Sequence, residues 1–109
     1  MMTYSVELTE RAEVDVDGIY LNSRWRTPNE AERWLRGFTK ALASLEFMPK
    51  RCAVAREDAR YQGITVRQLL FGKYRILLHI VEPVEDDDAG SVRVIRVIHG
   101  SRSSEPDVD

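Results

Sequence analysis

The segment "YRILLHIVE", residues 74–82, sets the tightest limit on what this chain can fold into. It reads as a strand, yet both of its alternating sets are largely apolar: Tyr74, Ile76, Leu78 and Ile80 on one side, Leu77 and Val81 on the other. A strand of that kind belongs in the middle of a sheet. Two neighbours are available. "ITVRQLLF" (64–71) precedes it across a two-residue Gly72-Lys73 turn, and "SVRVIRVIH" (91–99) follows after an acidic loop from Pro83 to Gly90.

The first half of the chain has a different period. "TYSVEL" (3–8) alternates as a short strand, and Thr9 then offers a hydroxyl as N-cap for a helix carrying Ala12, Val16, Ile19 and Tyr20 at helical spacing. Glu10, Glu13, Asp15 and Asp17 fall early in it, where the helix dipole favours carboxylates. At "RWRTPNE" the pattern breaks, and Thr27, Pro28 and Glu30 occupy the N-cap, first-turn and capping-box positions of a second helix. Its apolar face reads Ala31, Trp34, Leu35, Phe38, Ala41 or Leu42, Leu45 and Met48, with Pro49 as its stop. Residues 49–63 show no periodicity and read as a long loop.

The expected fold is therefore α+β in the order β-α-α-β-β-β. A helical hairpin packs on one face of a small, mostly antiparallel sheet and leaves the opposite face available. The 109 residues suit one domain over 1–102, with an acidic, frayed tail at 103–109. No apolar run approaches the roughly 20 residues that span a bilayer. Glu7, Glu10 and Arg11 interrupt any signal-peptide pattern, so a cytoplasmic protein is expected. Cys52 is the only cysteine, which excludes an internal disulfide, and His79 and His99 lack metal-ligand spacing. Neither metal nor cofactor is expected.

The net charge of −2 is unevenly distributed: residues 85–88 contribute −4, the tail −3, and the rest of the chain +5. Lys50, Arg51, Arg56, Arg60, Arg67 and Lys73, with Arg75, form a basic band relieved only by Glu57 and Asp58, which read as surface charges. The band is either a solvated surface or a site for polyanions or an acidic protein segment.

Arg75 and His79 lie four residues apart on the middle strand and so share a side. If the last strand lies beside it, the exit "HGSR" (99–102) brings Arg102 towards Arg75, and two guanidiniums then face one small concavity suited to phosphate oxygens. Gly100 permits a close backbone approach there. Plainer readings stand beside this one. His99 as a strand-end histidine bonded to backbone, His79 as structural, Trp25 and Trp34 as packing, and Arg75 in an ion pair with Glu82 or a loop carboxylate all fit equally simple roles.

In this order and spacing, "YSVELTERAEVDV", "EAERWLRGFTKALASLEFMPKR", "VRQLLFGKYRILLHIV" and "VRVIRVIHGSR" resemble the RelE/ParE family of bacterial type II toxin-antitoxin toxins over about 100 of the 109 residues. The pairing of "YR" opening one strand with "HGSR" closing the next carries most of the resemblance. It implies a growth-inhibiting toxin held inactive by a cognate antitoxin. The ParE-like branch implies a DNA gyrase target without hydrolysis. The RelE/YoeB-like branch implies ribosome-dependent cleavage of mRNA, with Arg75, Arg102 and His99 as candidate catalytic residues and Glu57 as a weaker candidate base. A third possibility is a non-toxic binding member. The lysine pair of RelE-like nucleases corresponds here to about Val66 and Gln68, with Arg67 the nearby cation, and their late tyrosine to about Val108. These departures, with the overall acidity, lean the reading towards the gyrase-directed branch.

Overall fold

The structure is a computed structural model that describes residues 3–83 and 90–102. Strand β1 (Ser5–Leu8) leads into helices α1 (Glu10–Asn22) and α2 (Pro28–Ser44). A two-residue strand β2 (Ala53–Val54) follows, then β3 (Arg67–Phe71), β4 (Tyr74–Val81) and β5 (Ser91–His99). The sheet order is β1-β5-β4-β3-β2, so the doubly apolar strand is central, as its pattern requires. All pairings are antiparallel except β1 with β5, which run parallel. The expected α+β architecture is correct. The acidic loop and the tail lie, for residues 84–89 and 103–109, outside the described residues.

Both helix starts follow from their caps. Thr9 Oγ1 accepts the Ala12 N–H at 3.2 Å, and Thr27 Oγ1 accepts the Glu30 N–H at 3.2 Å. The Glu30 carboxylate reaches back to the Arg26 N–H at 3.0 Å, which tightens the same entry. The end of α2 departs from expectation. The helix stops at Ser44 rather than running to Met48, and the chain turns on through shorter bonds from Leu45, Glu46 and Phe47 to Leu42, Ala43 and Ser44. Met48, denied the helical region by Pro49, sits left-handed at φ 47° and is 72% exposed, so it does not belong to the buried face.

The main core lies between the helices and one sheet face, where Ala12, Phe38 and Leu45 meet Tyr74, Ile76, Leu78, Val92, Val94 and Val97. Leu77 pairs with Arg96 and Leu78 with Val94, so Ile95 is an extra residue in β5. That bulge shifts the alternation and lets Val97 join Val92 and Val94 in the same core. The opposite face is not left open as expected. The segment that reads as a structureless loop folds over it through two 3₁₀ turns, Pro49–Arg51 and Asp58–Arg60, and β2. Ala55 and Val66, with Tyr61 and Ile64, pack there on Leu77, Ile98 and Ile95.

Candidate functional site

Arg75 pairs across the sheet with Leu70 and Ile98, and Ile98 belongs to the second cluster. Cross-strand neighbours point to one side, so Arg75 projects away from the helices, under the 52–66 segment. There it is 4% exposed. Its Nη1 donates to Glu57 Oε1 at 2.9 Å and to Gln68 Oε1 at 3.0 Å, and its Nη2 donates to Glu57 Oε2 and to the Arg102 carbonyl. Glu57 is fully buried. Its hydrogen bond raises the Arg75 pKa above the ordinary arginine value, against burial, so the guanidinium stays charged.

Arg56 completes the cluster from outside. Its Nη2 donates to the same Arg102 carbonyl at 2.9 Å, and its Nε lies 3.8 Å from Glu57 Oε2. Two guanidiniums thus converge on one backbone oxygen and tie the end of the described chain to β4 and to the loop. Gly100 permits this turn. Its N–H donates to Lys73 O at 2.7 Å, and a Cβ there would stand 3.2 Å from that oxygen.

Three expectations change and one open choice is decided. Arg102 does come to Arg75, but through its carbonyl, and its side chain is exposed rather than facing Arg75 across a concavity. Of the two ion-pair partners open to Arg75, the loop carboxylate holds: it is Glu57, while Glu82 takes Lys50 at 2.8 Å. Glu57 and Asp58 are not surface charges: the first is buried, and Asp58 Oδ1 accepts the Val66 N–H at 2.7 Å. The reason is common to all four. The 52–66 segment packs onto the sheet and must satisfy its own polar groups underneath. His99 is exposed, with Nδ1 against Ser101 Oγ at 2.8 Å and accepting the Ser101 N–H at 3.2 Å, the backbone-bonded strand-end arrangement.

The basic band is spread out and largely engaged. Arg51 donates to the Ser44, Phe47 and Met48 carbonyls, and Arg67 to those of Lys50 and Cys52. Arg60 is also held by a partner, whereas Lys73 is exposed at the β3–β4 turn. Sequence reasoning did not find Gln68 as an Arg75 partner. It also missed Asp15, which takes Arg96 Nε at 2.7 Å and the Val97 N–H at 2.9 Å. No periodic signal marks either, because each partnership crosses the fold.

A cavity of about 640 Å³ opens elsewhere, lined by Lys50, Gly63, Ile64, Thr65, Arg67, His79, Ile80 and Glu82. None of Arg75, His99 and Arg102 reaches it. Among the described residues no group of three or more His, Cys, Asp and Glu side chains gathers as a metal set. No helix among them is long and apolar enough to cross a membrane.

Residues 6–104 match the family model of the ParE toxin of the type II toxin-antitoxin system parDE. The chain belongs to the ParE toxin family. It is thus a type II toxin of the ParE-like kind, and the nuclease and non-toxic readings are not favoured. A solved structure described as a chromosomal ParDE toxin-antitoxin system from P. aeruginosa shares the fold at 17% identity and a TM-score of 0.58, over 89% of this chain and 96% of that one. No curated protein sequence matches this ParE-family chain.

Proposed function

We propose that this chain arrests growth by binding DNA gyrase, without hydrolytic chemistry of its own, and that a cognate antitoxin neutralises it. The observation that carries this reading is the confinement of Arg75. RNA cleavage by a 2′-hydroxyl requires a base for that proton, donors for the charge of the transition state and an acid for the leaving oxygen. Both Arg75 terminal nitrogens are instead engaged by Glu57, Gln68 and the Arg102 carbonyl. Glu57, buried and ion-paired, is poorly placed to take a proton from a substrate. Val66, where the nuclease branch has a lysine, is fully buried in the second cluster.

Purified protein is tested in a gyrase supercoiling and cleavage assay and, in parallel, in a reconstituted translation reaction read for mRNA cuts. Inhibited supercoiling or stabilised gyrase cleavage with intact mRNA is the expected result. Codon-positioned cuts that disappear in Arg75→Ala with gyrase unaffected would overturn it.

A further inference from the structure

The cavity of about 640 Å³ stands apart from Arg75, His99 and Arg102, and most of its polar side chains are donors. Arg67 is held in place through Nη1, which donates to the Cys52 carbonyl at 2.8 Å and to the Lys50 carbonyl at 3.3 Å. Its Nε and Nη2 bond nothing among the described residues, so an already fixed guanidinium has further N–H groups to offer. Lys50 Nζ lies 2.8 Å from Glu82 Oε1, but these side chains are 62% and 50% exposed, and a pair so open to water is worth little. Lys50 can therefore turn to another anion at small cost.

His79 adds a donor of a different kind. It lines the cavity, yet its Nδ1 is buried without a partner. A proton placed there would make an orphan buried N–H, so the neutral ring carries it on Nε2, the nitrogen left to meet the cavity. The backbone contributes as well. β3 pairs with β4 from Phe71 with Tyr74, either side of a two-residue turn, to Arg67 with Leu78. Hydrogen-bonded pairs recur at every second residue, so Ile80 is the next to turn its N–H to that side, where no β3 residue stands opposite.

Glu82 is the only carboxylate among the described residues that line the cavity, so Lys50 and Arg67 leave it one net positive charge. Donors around a positive concavity fit a ligand whose oxygens only accept, as those of a phosphate dianion do. The volume lies within the roughly 300–1,000 Å³ of small-molecule sites and exceeds what free phosphate needs, and Ile64 and Ile80 give apolar surface for the remainder of an ester. We propose that this cavity binds the phosphate group of a small molecule, with Arg67, Lys50, His79 Nε2 and the Ile80 N–H as its donors. The proposal needs no gyrase target and stands independently of that reading.

The full chain is titrated at fixed ionic strength with inorganic phosphate and, separately, with adenosine monophosphate, and binding is followed by calorimetry and two-dimensional NMR. Both ligands should shift the His79 imidazole and Ile80 amide signals. Markedly tighter binding of the nucleotide assigns the site to a phosphate ester, and equal affinities assign it to phosphate itself. Arg67→Gln should weaken binding by about tenfold or more. Because Arg67 also holds two carbonyls, Glu82→Gln supplies an independent arm: it removes an exposed competing carboxylate and should tighten binding severalfold. Lys40, an exposed cation on α2 outside the cavity, is the control, and Lys40→Gln should leave binding unchanged. Absence of shifts at His79 and Ile80 at millimolar ligand overturns the proposal, as do equal effects of Lys40→Gln and Arg67→Gln or unaltered affinity in Glu82→Gln. Adenosine binding as tightly as its monophosphate would overturn the phosphate as the recognised group.

Discussion

Glu57 and Arg75, eighteen positions apart in the chain, form a buried two-pronged ion pair that joins the irregular 52–66 segment to the central strand of the sheet. Both side chains have left water, at 0% and 5% exposure, so the pair is held by geometry as much as by charge. Its remaining hydrogen bonds, to Gln68 and to the Arg102 carbonyl, bring β3 and the end of the described chain into the same knot.

Removing either partner leaves the other charge buried alone. Glu57→Ala and Arg75→Ala should each destabilise the fold by about 3–5 kcal/mol, measured by urea unfolding. The double variant Glu57→Leu with Arg75→Met should cost much less than the sum, since no orphan charge remains. Additive losses would show that the two side chains act independently.

Asp15 provides a second long-range tie. β1 pairs with β5 only as far as Val94, so the β5 edge beyond it is open, and the Asp15 carboxylate takes the Val97 N–H and the Arg96 guanidinium there. Asp15→Ala should cost about 1–3 kcal/mol in the same unfolding experiment. Asp15→Asn should lose less, because it keeps an acceptor for the backbone N–H.

How far these features were legible follows from their range. The central place of β4 and the α2 entry at Thr27, Pro28 and Glu30 depend on neighbouring residues, and their patterns are written locally. Proximity of Arg75 to Arg102 followed from strand adjacency alone. Which atom of Arg102 arrives did not, because it depends on a turn pinned by Gly100 to Lys73. Glu57 was hidden for a related reason: a carboxylate in a basic, aperiodic stretch looks solvated until that stretch is seen to cover Leu77 and Ile98. The β5 bulge at Ile95 likewise breaks the period that an alternating pattern assumes.

Cys52 is buried, and that burial pushes its thiol pKa above the ordinary value despite nearby Arg51 and Arg67. At alkaline pH the folded chain retains a proton that the unfolded chain has lost. This group's contribution to stability is therefore full below the unfolded thiol pKa and declines as pH rises through it. Native protein at pH 8 should react with a thiol-specific disulfide reagent far more slowly than urea-unfolded protein. Equal rates would mean that the thiol is accessible in the fold.

His99 separates a binding toxin from a catalytic one at the level of a single side chain. It is exposed at the end of β5, its Nδ1 is occupied by Ser101, and its ring meets Tyr74 edge-on with centroids 5.9 Å apart. Its ring meets the core at Tyr74 alone of the described aromatic rings, so His99→Ala should destabilise the fold by only about 0.5–1.5 kcal/mol. In the gyrase-directed reading no proton passes through this ring. Growth arrest on expression without antitoxin should then persist in His99→Ala, with gyrase inhibition at the level of the parent. A variant that folds normally yet loses growth arrest, and loses mRNA cutting with it, would make His99 a proton carrier and return the protein to the nuclease branch.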